Sequence, residues 1–236
     1  SRSYKPHLLP DVIAGKIEMD KIYLRPNSYF LENNIQLRPG QTVAKVDFSK
    51  YQVILEHKEV VPFDGLIIAT GGRPRIPEPL EVFEDAMMTL KTASHAQVWI
   101  NKLAKVQSVL LIGGDLTSLG LTRALLKLGK TVYFMINEES FWPLPFNQRL
   151  HEEISSCLCA RGVNVLTSSH IRRLSSLSED IIEVETECEK LSVGAVGAFF
   201  GLVPDVKFLV RSGLDIDRGV LVDEKLRTRF TNVYAA

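Results

Sequence analysis

The sequence contains few cysteines and no long hydrophobic run, and both absences restrict the class of protein. Its 236 residues include three cysteines, at positions 157, 159 and 188. Three cysteines cannot form a complete disulfide set, and Cys157 and Cys159 are too close for a comfortable bridge, so a reducing compartment, the cytoplasm, is expected. The longest apolar run, residues 195–203, is far shorter than the roughly 20 residues that a membrane-spanning helix needs. The first ten residues lack the apolar core of a secretory signal.

An excess of charge of one sign is also absent. The sequence has 28 lysines and arginines against 28 aspartates and glutamates, so its formal net charge at pH 7 is zero. Proteins that bind nucleic acids or anionic membranes usually carry a basic excess. We therefore expect neither nucleic acid nor membrane among the partners. Hydrophobic residues make up 45% of the chain, which is typical of a soluble globular protein.

No pattern in the sequence is typical of a metal site or of a catalytic nucleophile. The cysteines do not have the paired spacing of a zinc site, and the five histidines show no metal-like pairing. No serine is framed by a Gly-x-Ser-x-Gly elbow. We predict neither a metal site nor a side chain that acts as acid, base or nucleophile.

The clearest pattern that is present is a strand, a glycine turn, a helix and a second strand. Residues 109–112 are apolar and predict a buried strand, Gly113 and Gly114 predict a turn, residues 116–128 have helical spacing, and residues 131–136 predict the next strand. This order predicts a βαβ unit with a parallel sheet. Phe141 and Trp142 are expected to pack in the loop that follows.

A second apolar run lies in the first third of the chain. Residues 66–70 predict a buried strand that ends at Gly71 and Gly72. Residues 73–79 contain three prolines and predict a connector at a domain boundary.

The glycine turn of the βαβ unit lies where dinucleotide-binding proteins carry the pattern Gly-x-Gly-x-x-Gly. There the pyrophosphate binds at the helix N-terminus. The three corresponding residues here are Gly113, Asp115 and Ser118, so one glycine of three is present. A carboxylate about 4 Å from a phosphate charge would cost roughly 4 kcal/mol at an effective dielectric constant of about 20. A βαβ unit that binds no ligand therefore remains an alternative.

The end of the second strand is where an acidic residue would bind a ribose hydroxyl. Ile136 occupies the simplest register, and Glu138 serves if the strand ends two residues later. Residues 135–140 include no basic residue that would favour a 2′-phosphate. NAD is therefore expected rather than NADP.

Several segments, in a fixed order, together resemble one family. The most specific segment begins with Phe63-Asp64-Gly65 and ends with Ala69-Thr70-Gly71-Gly72-Arg73-Pro74. The other segments are residues 4–9, 14–15, 40–47, 109–114, 201–205, 219–223, 226–228 and 233–236. They resemble the pyridine nucleotide-disulfide oxidoreductase superfamily of FAD- and NAD(P)H-dependent reductases. The branch that they resemble most contains rubredoxin reductases, NADH oxidases and FAD subunits like those of nitrite reductase.

The resemblance implies an α/β fold of two Rossmann-like parts. A NAD-type domain, residues 93–213, is expected to be inserted in a partial FAD-type domain, residues 1–92 and 214–236. The family's own FAD glycine motif and its C-terminal interface domain have no counterpart in the sequence, so the chain is expected to be the middle of a longer protein.

The resemblance also implies positions for the cofactor contacts. Lys5 and Pro6 would lie near the flavin ring and Val43 near the FAD adenine, and Ala69, Thr70, Gly71 and Arg73 would lie along the FAD and the interdomain edge. The residues that would face the nicotinamide cofactor are Gly113, Gly114, Leu116 and Gly201.

The function that the resemblance implies is that of an FAD-dependent NAD(P)H oxidoreductase. Its cofactors would be FAD and NAD, and its flavin would pass electrons to a protein, a metal centre or oxygen. Two acidic residues of the family's nicotinamide site are replaced here by Gly120 and Gly194. Together with Asp115 and Ile136, these differences leave an alternative: a non-catalytic or repurposed subunit of a redox complex that keeps the fold with a degenerate NAD site.

Overall fold

The computed structural model describes residues 3–137, 140–141, 147–167 and 170–236, apart from the side chain of residue 167. The α-helices are α1 (Leu9–Ile13), α2 (Ser28–Glu32), α3 (Glu78–Glu81), α4 (Ala93–Leu103), α5 (Leu116–Lys127) and α6 (Gln148–Cys159). Short 3-10 helices cover Pro6–Leu8, Met19–Ile22, Glu84–Ala86 and Lys207–Leu209.

In the part of the chain that the structure describes, the strands form five sheets. In chain order they are β1 (Val43–Asp47), β2 (Gln52–Leu55), β3 (Val60–Pro62), β4 (Leu66–Ile68), β5 (Gly72–Pro74), β6 (Ser108–Gly113), β7 (Thr131–Ile136), β8 (Asn164–Thr167), β9 (Ile171–Ser178), β10 (Ile181–Thr186), β11 (Lys190–Val193), β12 (Ala195–Phe199), β13 (Leu202–Pro204) and β14 (Val233–Ala235).

The described chain divides into two compact units. The first unit contains residues 26–73 and 202–236, and the second contains residues 3–25 and 74–201. Residues 3–25 belong to the second unit because α1 packs in the same buried cluster as α4 and α5. The expected domain bounds stay a prediction. Which unit holds which cofactor stays a prediction.

The second unit is built on a parallel sheet with the strand order β12-β6-β7-β8. Strand β6, helix α5 and strand β7 follow one another in the chain, and β6 pairs in parallel with β7. The predicted βαβ unit is therefore confirmed, and so is the α/β fold class. Helix α5 begins after Asp115 and ends before Gly129, whose φ of +70° suits glycine.

The two faces of this sheet are covered by different layers. Val109 and Leu111 of β6 face a buried cluster formed with α1, α4 and α5. Leu110 and Ile112 face a cluster that includes the antiparallel sheet β11-β10-β9. Because side chains alternate along a strand, a continuous apolar run is what a strand covered on both faces requires.

The first unit contains the antiparallel sheet β1-β2-β3, the parallel pair β4 and β14, and the pair β5 and β13. Its core includes Val46, Phe48, Ile68, Leu209 and Val233. The apolar run at residues 66–70 forms a strand, β4, over Leu66–Ile68 only, and this strand does not belong to the sheet of β6. The expectation that it is buried was wrong for this chain, because Ile68 is buried but Ile67 is 71% exposed. Among the described residues, no helix has the length and apolar character to span a bilayer.

Candidate functional site

The glycine turn follows β6 at the carboxyl edge of the parallel sheet. Gly113 has a φ of +85°, and a β-carbon on it would lie 2.4 Å from the carbonyl oxygen of Phe199. The backbone N–H of Gly114 donates to the same oxygen at 2.6 Å. Residue 113 must therefore be glycine, because the turn is held against the neighbouring strand β12.

Asp115 caps the N-terminus of α5. Its carboxylate accepts the backbone N–H of Ser118 at 2.7 Å, and the Ser118 hydroxyl accepts the N–H of Asp115 at 2.9 Å. The backbone N–H groups of Thr117 and Gly201 also act to lower the pKa of this carboxyl. The hydrogen bond from Ser118 thus directs one donor of the helix N-terminus at a carboxylate of the chain itself.

The Asp115 carboxylate lies in a largely dehydrated environment. Burial raises the pKa of this carboxyl above its ordinary value of 3.8, and the hydrogen bonds from Ser118, Thr117 and Gly201 oppose that shift only in part. Loss of hydration therefore outweighs the stabilisation that three donors give to the charge.

Phe141 covers the glycine turn from the other side. Its backbone N–H donates to the carbonyl oxygen of Gly114 at 2.8 Å. Its side chain is 9% exposed, and a β-carbon on Gly114 would lie 2.5 Å from a carbon of its ring. The space that Gly114 leaves by lacking a side chain is thus filled by an aromatic ring. Phe141 does pack in the loop after β7, as expected, whereas Trp142 lies outside the described residues.

The end of β7 is where the sequence places the candidate ribose site. Ile136 is fully buried, so its side chain belongs to the core. The next residue, Asn137, receives a hydrogen bond on its side-chain oxygen from the Ser140 hydroxyl at 3.1 Å. Glu138 lies outside the described residues, and its proposed role stays a prediction. Sequence reasoning passed over Asn137, although the predicted strand end at Ile136 makes it the first residue beyond the strand.

Gly120 and Gly194, the two departures from the family, both lie in tightly packed places. A β-carbon at Gly120 would lie 3.1 Å from the side chain of Pro10 in α1, and one at Gly194 would lie 2.3 Å from the β-carbon of Val106. An acidic side chain does not fit at Gly194 without displacing its neighbour, and at Gly120 it would press on Pro10. Packing against these neighbours thus accounts for both glycines.

The structure brings together four residues predicted to face the nicotinamide cofactor. Gly113 ends β6, Gly114 follows it in the turn, Leu116 begins α5, and Gly201 lies just after β12. They lie at the carboxyl edge of the sheet, where ligands bind in open α/β folds. Leu116 is 88% exposed.

Lys5 and Pro6 lie in another part of the second unit. Pro6 begins the short 3-10 helix that precedes α1, and the backbone N–H of Lys5 donates to the carbonyl oxygen of Ile22 at 3.0 Å. Both side chains are exposed. Their predicted position near a flavin ring stays a prediction.

Of the residues predicted for FAD in the first unit, Ala69, Thr70 and Gly71 follow β4, Arg73 lies in β5 and Val43 begins β1. The Thr70 hydroxyl donates to the carbonyl oxygen of Asp205 at 2.9 Å, and the N–H of Asp205 donates to the carbonyl oxygen of Gly71 at 2.9 Å. Thr70 and Gly71 line a cavity of about 280 Å³. Its other lining residues are mostly apolar: Ile68, Pro204, Val206, Gly219, Val220, Val222, Leu226, Ala235 and Ala236. Val43, Ala69 and Arg73 do not line this cavity.

Comparison with known proteins identifies the family. Residues 3–236 match the family model described as pyridine nucleotide-disulphide oxidoreductase. The chain belongs to this family. A curated family relative, the NADH-dependent phenylglyoxylate dehydrogenase subunit epsilon of Aromatoleum evansii, is 24% identical over 99% of the chain and 55% of that protein. The nitric oxide reductase FlRd-NAD(+) reductase of Salmonella gallinarum is 29% identical over 96% of the chain and 60% of that protein.

A solved structure has the same fold. In the covalent complex of putidaredoxin reductase with putidaredoxin, the matched chain superposes with a TM-score of 0.88 at 23% identity, over 100% of this chain and 58% of that one. The chain thus spans somewhat more than half the length of these relatives. The fold and the family expected from the sequence are both confirmed.

The two cofactors that the family implies fit this chain differently. The cavity at Thr70 and Gly71 is apolar with a few polar groups, as small-molecule sites are, and its volume lies near the lower end of the usual range of about 300–1,000 Å³. Its size and lining are compatible with one part of a nucleotide cofactor. The glycine turn is less open to a dinucleotide pyrophosphate, because the Asp115 carboxylate accepts the N–H of Ser118 at the helix N-terminus and Phe141 covers Gly114.

Proposed function

We propose that the chain is part of a flavin-dependent oxidoreductase that takes electrons from a nicotinamide cofactor and passes them to a partner protein. The observation that carries this proposal is the family match over residues 3–236. The fold supports it, because the parallel strand pairs that hold nucleotides in such folds occur in both units.

A protein acceptor is supported by the names of the relatives. The Salmonella protein is a FlRd-NAD(+) reductase, and the structural relative is covalently joined to putidaredoxin. Each name pairs a reductase with a second component. Among the acceptors that the sequence left open, a small redox protein therefore has more support than a metal centre or oxygen.

The role of this chain toward FAD is to bind and orient it. Thr70 and Gly71 would hold one part of the molecule in the apolar cavity, where Ile68, Val220 and Leu226 form apolar walls. The Thr70 hydroxyl is fixed in direction by its bond to Asp205. When bound, the flavin supplies the redox chemistry, so no acid, base or nucleophile from the chain is required.

The proposal is tested on the full-length protein that contains this chain. We expect the purified protein to show a flavin absorption band, and we expect NADH, added without oxygen, to bleach it. Dithionite serves as the control, because it reduces a bound flavin without a nucleotide site. A flavin that dithionite bleaches and neither NADH nor NADPH bleaches at any concentration would favour the non-catalytic subunit instead, and a colourless protein would contradict flavin dependence altogether.

A further inference from the structure

We infer that the chain closes its own glycine turn, so that Asp115 and Phe141 together lower the affinity of this site for a dinucleotide. The inference rests on the proposed function only for the class of ligand, a molecule with an adenosine pyrophosphate. It assigns the two residues an effect on affinity rather than a part in chemistry.

A donor at the N-terminus of α5 is already occupied by the chain itself. An anion binds at a helix N-terminus because the first backbone N–H groups lack partners within the helix. In α5 the N–H of Ser118 already donates to the Asp115 carboxylate at 2.7 Å, and the N–H groups of Thr117 and Gly201 also act to lower the pKa of that carboxyl. A pyrophosphate would have to compete with a covalently attached anion for these groups.

The charge of Asp115 also opposes an anionic ligand. A phosphate that reached these donors would lie close to the Asp115 carboxylate, because both would accept from the same N–H groups. Repulsion between unit charges about 4 Å apart, at an effective dielectric constant of about 20, corresponds to a loss of affinity of up to about 10³-fold. Partial exposure to water makes the loss smaller, so we expect a factor between about 10 and 10³.

The shape of the turn prevents a close approach as well. The glycines of a dinucleotide turn let the ligand approach the backbone closely. At Gly114 the ring of Phe141 occupies that approach, and the bond from the Phe141 N–H to the Gly114 carbonyl oxygen holds it there. Ser140 supports the loop, since its buried hydroxyl bonds to both the N–H and the side chain of Asn137.

The test is a calorimetric titration of the full-length protein with ADP-ribose. This probe carries the adenosine pyrophosphate and cannot transfer a hydride, so binding is measured apart from redox activity. Asp115→Asn removes the charge and keeps an oxygen that can cap the helix. We expect it to bind ADP-ribose at least tenfold more tightly than the unmodified protein. Phe141→Ala should also bind more tightly, and the double variant most tightly.

Matched variants test whether a change in ADP-ribose affinity is specific to Asp115 and Phe141. Asp20→Asn removes one negative charge from an exposed site of the same unit and should leave the affinity unchanged. Phe141→Leu keeps an apolar cover on Gly114 and should raise the affinity less than Phe141→Ala. If Phe141→Ala fails to fold, the ADP-ribose affinity of Asp115→Asn alone still tests the inference.

The outcomes are distinct from those of the proposed function. Affinities of Asp115→Asn and the unmodified protein within a factor of two would overturn the inference, whether both bind ADP-ribose tightly or neither binds it. A colourless protein whose Asp115→Asn variant gains affinity would overturn flavin dependence and leave the inference supported.

Discussion

The contact between Phe141 and Gly114 leads to a quantitative prediction about stability. A β-carbon at position 114 would lie 2.5 Å from the ring of Phe141, whereas carbon atoms in contact are normally about 3.5–4.0 Å apart. Gly114→Ala must therefore displace the ring by about 1 Å, and overpacking of this kind costs about 1–3 kcal/mol of unfolding free energy. Phe141→Ala removes a buried ring, which costs about 3 kcal/mol.

The two costs should not add. With alanine at position 141 the new β-carbon at position 114 no longer meets a ring, so the double variant should be more stable than the sum of the single effects predicts, by about 1–3 kcal/mol. Urea unfolding of the four proteins gives this coupling energy. The buried Trp99 lies in the same unit as both residues and supplies a fluorescence signal.

Gly129→Ala is the matched control. A β-carbon there would have no atom within 4 Å, and the φ of +70° at this residue makes alanine cost about 1–2 kcal/mol through the backbone alone. This cost should add to that of Phe141→Ala. If Gly114→Ala and Phe141→Ala are also additive to within about 0.5 kcal/mol, the ring does not cover the glycine and the reasoning is refuted.

Two further predictions concern Asp115 and Gly194. Burial raises the pKa of Asp115, so its contribution to stability is fully present below its unfolded pKa, near 3.8, and is lost as the pH rises through the folded value. The unfolding free energy of Asp115→Asn minus that of the unmodified protein should therefore increase with pH in urea titrations, and a decrease would mean that the pKa is lowered. Gly194→Ala places a carbon 2.3 Å from the β-carbon of Val106 and should cost about 1–3 kcal/mol or more in the same assay; a neutral effect would contradict the packing described for this glycine.

The sequence predicted the βαβ unit closely because its signals are local. Strand β6 is apolar at every position from Val109 to Ile112, and glycines stand at both ends of α5. A strand covered on both faces must be apolar throughout, so this pattern strongly favours a central strand of a parallel sheet. The bounds of β7 were also correct, since Thr131–Ile136 matches the predicted range.

The parts that the sequence did not predict depend on contacts between distant residues. Phe141 is more than 20 residues from Gly114, and nothing in its immediate neighbourhood indicates that it returns to the turn. Gly120 was interpreted as the loss of an acidic residue that contacts the cofactor. Its packing against Pro10 could not be predicted, because Pro10 lies in another helix far away in the chain. The place of residues 3–25 in the second unit has the same kind of cause, since α1 packs against α5, a helix far away in the chain.

The capping role of Asp115 could have been predicted from the sequence. An aspartate directly before a helical pattern is a common N-cap, and a serine three residues later can return the hydrogen bond. Sequence reasoning treated Asp115 only as a charge facing a ligand and passed over the donors that it would occupy.

The chain path through the first unit has a consequence for how the protein reaches its native state. Strands β4 and β14 lie far apart in the chain and pair in parallel, so the loop between them contains most of the second unit. Closing so long a loop in a disordered chain is slow and entropically unfavourable. In the folded second unit, the N–H of Arg75 donates to the carbonyl oxygen of Gly201, which holds the two exits of residues 74–201 side by side. If that unit folds first, the segments that contain β4 and β14 start close together, and the entropic cost of pairing them is smaller. We therefore expect β4 and β14 to pair late.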